Sequence, residues 1–253
     1  MLAALDLTTF QVAALMAAYL IGGVVKGGMG FGLPLVTLAI TPLFVPVDLA
    51  IVANSVILPF INGVQIRQAG QADIIFRRFL PLILPLCLVM PLGVWLGTQL
   101  PAERLTLALG LAVMAFTAFQ VATPRLTIPP RMERSAGIVT GGLAGLTGGI
   151  LTINGPLFVL FLVGVGAERR VMMGALGIFF VLTGLLLSIS FAGAGLLDLP
   201  RALLGLCCLV PTFGGMWLGN RLAGRLPQRM FRMVVLAGLF VLGANIALRG
   251  LAL

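Results

Sequence analysis

The chain lacks several residue types on which enzymes and metal sites depend. Its 253 residues include no histidine, three cysteines and one tyrosine, and only 9% of them are charged. With no histidine and no acidic pair inside an apolar run, we expect no enzyme activity, no cofactor and no bound metal. The three cysteines, Cys87, Cys207 and Cys208, lie in apolar runs without C-x-x-C spacing, so we interpret them as small buried hydrophobic residues.

Apolar residues are what the chain has instead. They make up 60% of it, and the mean hydropathy is +1.17, whereas globular proteins average about 45–50% apolar residues. The longest polar connections, residues 65–78 and 123–135, are too short to bury a core of their own. The sequence therefore predicts one all-α integral membrane domain over residues 1–253. Residues 1–22 lack a basic leader region and a cleavage site, so we expect a retained first helix.

A set of residues recurs at a fixed offset of 122 positions. The first set is Gly23, Gly27, Pro34, Gly93, Trp95, Leu96 and Gly97, and the second is Gly145, Gly149, Pro156, Gly215, Trp217, Leu218 and Gly219. This predicts two repeats, at about residues 7–122 and 131–248. In a membrane chain, internal duplication indicates a transporter with its site between the halves.

Each repeat is predicted to hold about five helical segments. They cover residues 8–25, 33–45, 49–66, 75–100 and 104–122 in the first half, and 136–146, 153–165, 171–192, 202–222 and 230–248 in the second. A span needs about 20 residues, so the second segment of each half is too short to cross unaided. The start of each half thus predicts short broken helices or the return limbs of re-entrant hairpins.

Basic residues are distributed unequally between equivalent loops. Residues 67–78 carry a net charge of +2 and their repeat-mate 193–201 carries 0, whereas 98–104 carry 0 and 220–232 carry +4. Likewise Asp48 is the one charge in residues 41–48, while 166–170 hold two arginines and one glutamate. Cytoplasmic loops collect Lys and Arg, so the reversed bias predicts inverted-topology repeats, with residues 123–135 inside and both termini outside.

Glycine is concentrated in residues 22–34 and 141–156, at the start of each half. Because Gly costs about 1 kcal/mol relative to Ala in a helix, we expect both helices to unwind there. Pro34 and Pro156 suit the first turn of a resumed helix, whose free N–H groups and positive dipole end favour an anion. Alternatively these glycines are close-packing positions, the interpretation we prefer for Gly93, Gly97, Gly215 and Gly219.

The expected substrate-binding residues are the polar and glycine residues at these two stretches and at the start of the third segment. They are Lys26, Gly27, Gly28, Gly30, Gly32, Asn54, Ser55, Thr147, Gly148, Gly149, Thr152, Asn154 and Gly155. Lys26 either offers a charge to an anion or extends to the cytoplasmic surface. Asn54 and Ser55 either donate to ligand oxygens or bond across helices. Asp48 is expected to cap a helix N-terminus.

These motifs resemble the sulfite exporter TauE/SafE family, also called TSUP. The resemblance rests on residues 26–34, which run from Lys26 to Pro34, on Ala50 to Ser55, and on Leu146 to Gly149 with the chain that follows to Pro156. It covers essentially the whole chain. The chain departs from the family pattern at Asn54, where threonine is usual, at Met173 to Gly177, and at Asn154 and Gly155.

The resemblance implies a transporter or exporter of sulfite, organosulfonates or related small anions in the bacterial inner membrane. We expect alternating access, with a small anion and membrane lipid as partners and no nucleic acid. Coupling to protons or Na⁺ and a homodimer are left open. A passive anion channel and a non-transporting membrane scaffold are the alternative functions. A scaffold would not depend on polar groups at the glycine-rich stretches.

Overall fold

The computed structural model describes Leu5 and residues 7–122, 127–223 and 228–252, and these ranges are mostly helical. The first half contains α1 (Thr9–Met29), α2 (Leu33–Ile40), α3 (Val47–Ala69), α4 (Ala72–Arg78), α5 (Leu80–Thr98) and α6 (Ala102–Ala122), with a 3₁₀ turn at Thr41–Leu43. The second half contains α7 (Glu133–Leu151), α8 (Gly155–Gly164), α9 (Arg169–Gly193), α10 (Leu199–Cys207), α11 (Leu209–Ala223) and α12 (Gln228–Ala252), after a 3₁₀ turn at Pro130–Met132. Asp6, Arg125 and Arg225 lie outside the described residues, as do the side chains of Arg229 and Arg232.

Seven helical segments of the described chain are long and apolar enough to cross a bilayer. They are α1, α3, α5, α9, the continuous stretch α10–α11, and most of α6 and α12. Many large apolar side chains on them face outward, such as Leu88 and Val210, each with 78% of its surface exposed. Apolar side chains exposed along such helices suit lipid as the surrounding solvent. The prediction of an all-α membrane protein is confirmed at this level.

One predicted segment is divided in the structure. The single segment 75–100 is wrong, because α4 ends at Arg78 and α5 begins at Leu80. Pro81 lies in the first turn of α5, where its missing N–H does not cost a hydrogen bond. The helix assignment is also interrupted at Cys208, between α10 and α11, but Leu199–Leu222 remains one long apolar segment, as predicted for 202–222.

The chain divides into two compact units, and each takes helices from both halves of the sequence. Unit 1 comprises Met1–Asn54, Leu100–Thr123 and Leu196–Leu253, and so contains α1, α2, the start of α3, α6 and α10 to α12. Unit 2 comprises Ser55–Gln99 and Pro124–Gly195, with the rest of α3, α4, α5 and α7 to α9. The expectation of a single membrane domain stays a prediction.

In unit 1, α1 packs along α11 through glycine faces. A methyl group on Gly23 would overlap Thr212 O and lie 3.1 Å from Gly215 Cα, and one on Gly27 would lie 2.9 Å from Met216 Cα. A methyl group on Gly219 would similarly meet Val24. These backbones approach too closely for any side chain, and the order of the contacts along both helices makes them parallel.

In unit 2, α7 packs along α5 in the same manner. A methyl group on Gly93 would lie 2.6 Å from Leu146 O and 3.0 Å from Gly149 Cα, and one on Gly97 would lie 3.3 Å from Ile150 Cα. This pair of helices is related to α1 and α11 by the 122-residue offset. The packing interpretation of Gly93, Gly97, Gly215 and Gly219 is confirmed, and the recurring glycines are explained by these two helix contacts.

Each half opens with a helical hairpin. Gln11 Nε2 donates to Phe44 O over 2.8 Å, which brings the start of α1 beside the 3₁₀ turn after α2. Ile128 N donates to Gly164 O over 2.7 Å, which brings the chain before α7 beside the end of α8. The short helices α2 and α8 are therefore the second limbs of these hairpins, and their re-entrant position in a membrane stays a prediction.

Contacts between loops agree with the charge pattern. In unit 2, Arg78 Nε and Glu133 Oε1 are 2.8 Å apart, and Arg170 Nε donates to Ala69 O over 2.7 Å. Three loops predicted as cytoplasmic, 67–78, 123–135 and 166–170, therefore lie at the same end of unit 2. In unit 1, Arg201 and Asp48 are 3.8 Å apart, which joins two loops predicted as external. The hydrogen bond with Glu133 raises the pKa of the Arg78 guanidinium. The inverted topology itself stays a prediction.

Candidate functional site

The first glycine-rich break is shorter than the sequence predicted. Helix α1 continues through Lys26, Gly27 and Gly28 and is capped at Gly30, whose φ is 84°. Gly32, with φ 97°, then precedes α2. The prediction of unwinding is therefore wrong for Gly27 and Gly28 and right for Gly30 and Gly32. Gly27 is helical because it is a packing residue against α11, where the absence of a side chain matters more than backbone freedom.

Lys26 lies buried in the last turn of α1. Only 3% of its surface is exposed, so it does not extend to the molecular surface. Its carbonyl accepts the capping hydrogen bond from Gly30 N over 2.7 Å. A cation near a helix C-terminus is stabilised by the helix dipole, and an ionisable residue within a spanning segment marks a candidate functional site. This burial argues against the interpretation in which Lys26 extends to the cytoplasmic surface, and binding of an anion by Lys26 stays a prediction.

Asn54 connects α2 to α3 within unit 1. Its Oδ1 accepts from Thr37 Oγ1 over 2.8 Å, and its Nδ2 donates to Ala50 O over 3.0 Å. Thr37 and Asn54 are both completely buried. The Asn54 amide therefore holds α2 against α3 immediately after the first break.

Ser55, the next residue, belongs to unit 2, where it receives a hydrogen bond from Ser188 Oγ on α9 over 3.3 Å. Asp48 lies in the first turn of α3, where a carboxylate suits the helix dipole.

The second break lies between α7 and α8 in unit 2. Helix α7 runs through Gly148 and Gly149 and ends at Thr152, whose N–H donates to Gly148 O over 2.8 Å. Predicted unwinding at Gly148 and Gly149 is thus wrong, since Gly149 packs on α5. The actual break is residues 152–154, with Asn154 preceding the first turn of α8.

Thr152 occupies the position that Gly30 occupies in the first half. Its φ is 58°, in the left-handed region that a β-branched residue rarely adopts. This conformation costs about 1–2 kcal/mol for a residue with a Cβ. Only 1% of Thr152 is exposed, and its Oγ1 has no hydrogen-bond partner. A strained residue with an unpartnered buried hydroxyl is typical of a functional site.

Asn154 brings a second polar group to the same break. Its Nδ2 donates to Thr183 Oγ1 on α9 over 2.9 Å, while its Oδ1 is buried without a partner. A methyl group on Gly148 would lie 2.7 Å from Asn154 Nδ2, so the amide rests against the bare backbone of α7. At the 122-residue offset, Lys26 corresponds to Gly148 and Gly32 to Asn154. In the first half, a polar side chain comes from Lys26 on the helix before the break. In the second half, it comes from Asn154 within the break itself.

Other predicted ligands have different surroundings. Thr147 Oγ1 donates to Leu143 O over 2.9 Å on its own helix, and a methyl group on Gly155 would lie 3.0 Å from the Phe180 ring. Thr37 and Thr183 were missed by sequence reasoning, although each is a hydroxyl in an apolar run and the rule that selected Asn54 would have found them. The predicted residues therefore form two groups, with Lys26, Gly30, Gly32 and Asn54 in unit 1 and Thr152 and Asn154 in unit 2.

Comparison with known proteins gives one family. The family model described as Sulfite exporter TauE/SafE matches residues 15–246, which is nearly the whole chain. No curated protein and no solved structure matches the chain. The match includes both breaks and all or most of each of the seven long apolar segments. The chain therefore belongs to the TauE/SafE sulfite exporter family, a family of multi-pass membrane transporters.

Proposed function

We propose that this protein is a secondary transporter that exports small sulfur-containing anions, sulfite or an organosulfonate, across the bacterial inner membrane by alternating access of two inverted repeats. The proposal rests on one observation: in a chain of this family, Lys26 is buried in the last turn of α1, next to the first break. An ionisable side chain within a membrane-spanning helix marks a candidate functional site, and the positive charge of a lysine suits an anionic substrate.

The first break supplies the groups that a sulfite or sulfonate requires. Gly32 precedes α2 without any side-chain cap, and Pro34 lies in the first turn. The N–H groups of that first turn and the positive end of the helix suit an oxyanion. In this proposal Lys26 supplies charge, Gly30 and Gly32 allow close approach of the backbone, and the Asn54 amide donates to an oxygen and holds α2 in position. Gly27 and Gly149 serve helix packing.

The membrane potential favours export of such an anion. Moving one negative charge outward across a membrane that is negative inside releases about 2.3 kcal/mol per 100 mV. A dianion thus gains about 4.6 kcal/mol, which sustains a concentration ratio on the order of 10³. Uniport of a dianion would need no other driving force, so flux driven by potential is the first property to test.

The experiment is flux of sulfite and of short-chain sulfonates in proteoliposomes at a set membrane potential. We expect saturable flux that follows the potential. Replacing Lys26 with methionine, which has a similar length and no charge, should lower flux about 10- to 150-fold, since a charge-assisted hydrogen bond contributes about 1.5–3 kcal/mol. Lys26→Arg keeps the charge and should retain part of the flux.

A matched pair of asparagines controls for loss of a buried amide. Asn54→Leu should reduce flux, whereas Asn62→Leu, at a buried asparagine on the same helix that donates to Leu58 O over 2.8 Å, should not. Flux that never saturates would identify a passive channel instead. If folded protein moves none of these anions under any potential, the substrate assignment is wrong and the scaffold alternative is favoured.

A further inference from the structure

Two buried oxygens at the break between α7 and α8 have no hydrogen-bond partner. They are Thr152 Oγ1 and Asn154 Oδ1, and each residue has only 1% of its surface exposed. A buried acceptor without a partner loses its hydration and gains nothing in return. Two such atoms within three residues indicate that the break holds a ligand.

The two residues converge on the last turn of α7. Thr152 contacts Gly148 through its backbone N–H, and Asn154 lays its side chain over Gly148 Cα, where a methyl group would lie 2.7 Å from Nδ2. Thr183 on α9 fixes the amide by accepting from Nδ2 over 2.9 Å, which leaves the carbonyl oxygen as the unused side of the amide. The free groups therefore lie near the C-terminal carbonyls of α7.

The chemistry of these groups selects a cation. An amide oxygen accepts and cannot donate, so it repels an oxyanion and attracts a cation. The C-terminal end of α7 carries partial negative charge and the N-terminal end of α8 carries partial positive charge, so the helix ends at this break do not decide the sign, and the amide oxygen does. Discontinuous membrane helices use such freed carbonyls and helix C-termini to coordinate Na⁺.

The same chemistry excludes a proton and a divalent ion. Hydroxyl and amide oxygens do not titrate near neutral pH, so they cannot carry a proton in a transport cycle. Mg²⁺ and Ca²⁺ are usually bound through carboxylates, whereas Thr152 and Asn154 are neutral. Neutral oxygens in a buried break are therefore suited to a monovalent cation.

We propose that Thr152 Oγ1, Asn154 Oδ1 and the C-terminal carbonyls of α7 form a Na⁺ site at the second break. This site would explain why a strained threonine is present at position 152. The equivalent residue of the first half is Gly30, so only the second half places a hydroxyl at this point of the break. The role of Na⁺ as the coupling ion of the transporter rests on the proposed function. The binding itself is measured without any sulfur anion.

The test is the thermal unfolding midpoint of the purified full chain in detergent, with NaCl replaced stepwise by KCl at constant chloride. We expect a Na⁺-specific, saturable rise of Tm in the unsubstituted protein. Thr152→Val and Asn154→Leu should weaken the apparent Na⁺ affinity at least tenfold. Thr117→Val is the matched control, because the Thr117 hydroxyl is buried and already donates to Val113 O over 2.7 Å.

Two further variants separate Na⁺ binding from loss of fold. Thr152→Gly relieves the strained φ, so its Tm in KCl should be equal or higher while its Na⁺-dependent rise is lost. Asn154→Asp adds a negative charge to the acceptor and should tighten Na⁺ binding at least tenfold, whereas it would abolish binding of an anion at the same place.

The inference is overturned if Na⁺ and K⁺ give the same Tm, as they would if water occupies the break. It is also overturned if the Na⁺-dependent rise survives in Thr152→Gly and Asn154→Leu. Sulfite flux without a Na⁺ effect on Tm would leave the proposed function standing and refute the site. A Na⁺ effect that these variants remove would support the site even if no sulfur anion is transported.

Discussion

The close contact between α5 and α7 predicts how much stability is lost in Gly149→Ala. A methyl group on Gly149 would lie 2.5 Å from Met90 O and 2.7 Å from Gly93 Cα. Both are backbone atoms, so no side-chain rotation can relieve the overlap. Ordinary contact requires about 3.4 Å, and the two helices would have to separate by about 1 Å along a close-packed face.

Separating the two helices lowers the free energy of unfolding by an amount that can be estimated. Overpacking of a well-packed interior costs about 1–3 kcal/mol, and a gain in helix propensity of up to about 1 kcal/mol partly offsets it. Gly142 on the same helix is the matched control, because a methyl group there has no atom within 4 Å. Gly142→Ala should therefore keep the whole propensity gain, and the two variants should differ by about 1–3 kcal/mol.

The assay is the free energy of unfolding in mixed micelles titrated with a denaturing detergent. Gly149→Ala should unfold at the lower denaturant fraction and Gly142→Ala at or above that of the unsubstituted protein. Equal stability of the two variants would refute the close approach of α5 and α7. Gly27→Ala, 122 residues before Gly149, places a methyl group against the backbone of Met216 on α11 and should cause a similar loss in unit 1.

Three further predictions concern topology and local stability. With the native cysteines replaced, cysteines at Ala72 and Ala194, which are 122 residues apart, should react with membrane-impermeant maleimide from the inside and the outside respectively; labelling from the same side would contradict inversion. Glu133→Gln removes the ion pair between Glu133, whose side chain is 25% exposed, and Arg78, whose side chain is 43% exposed. This change should lower the free energy of unfolding by no more than about 1 kcal/mol, and high salt should reduce the loss. Thr8→Ala removes the capping box of α1 and should cost about 0.5–2 kcal/mol, with faster amide exchange confined to the first turn as the check.

The sequence predicted the helical class and the packing role of Gly93 and Gly215, because both depend on residue type alone. Long apolar runs specify spans, and a glycine that recurs at Gly23, Gly145, Gly93 and Gly215 marks a place where a side chain is not tolerated. What it could not predict was the partner of each glycine face. Pairing of α1 with α11, and of α7 with α5, joins segments far apart in the chain, and no local pattern records such a choice.

The extent of the two breaks was predicted less well, for a related reason. Glycine both weakens a helix and permits close packing, and the sequence does not say which effect dominates. At Gly148 and Gly149 neighbouring structure keeps the helix intact, and the chain leaves it at Thr152, which propensity alone would not select. The burial of Lys26 was likewise undecided until α1 was seen to continue past it.

The exchange of helices between the halves constrains the order in which the chain assembles during synthesis. Helix α1 is synthesised before α11, which begins about 180 residues after α1 ends, so the glycine face of α1 lacks its partner during that interval. At about 5–20 residues per second, this interval is on the order of 10–40 s. Unit 2 has all its segments once Gly195 has emerged, whereas unit 1 is incomplete until α12 is inserted. The N-terminal hairpin must therefore remain in the membrane for that time with its closest packing surface uncovered.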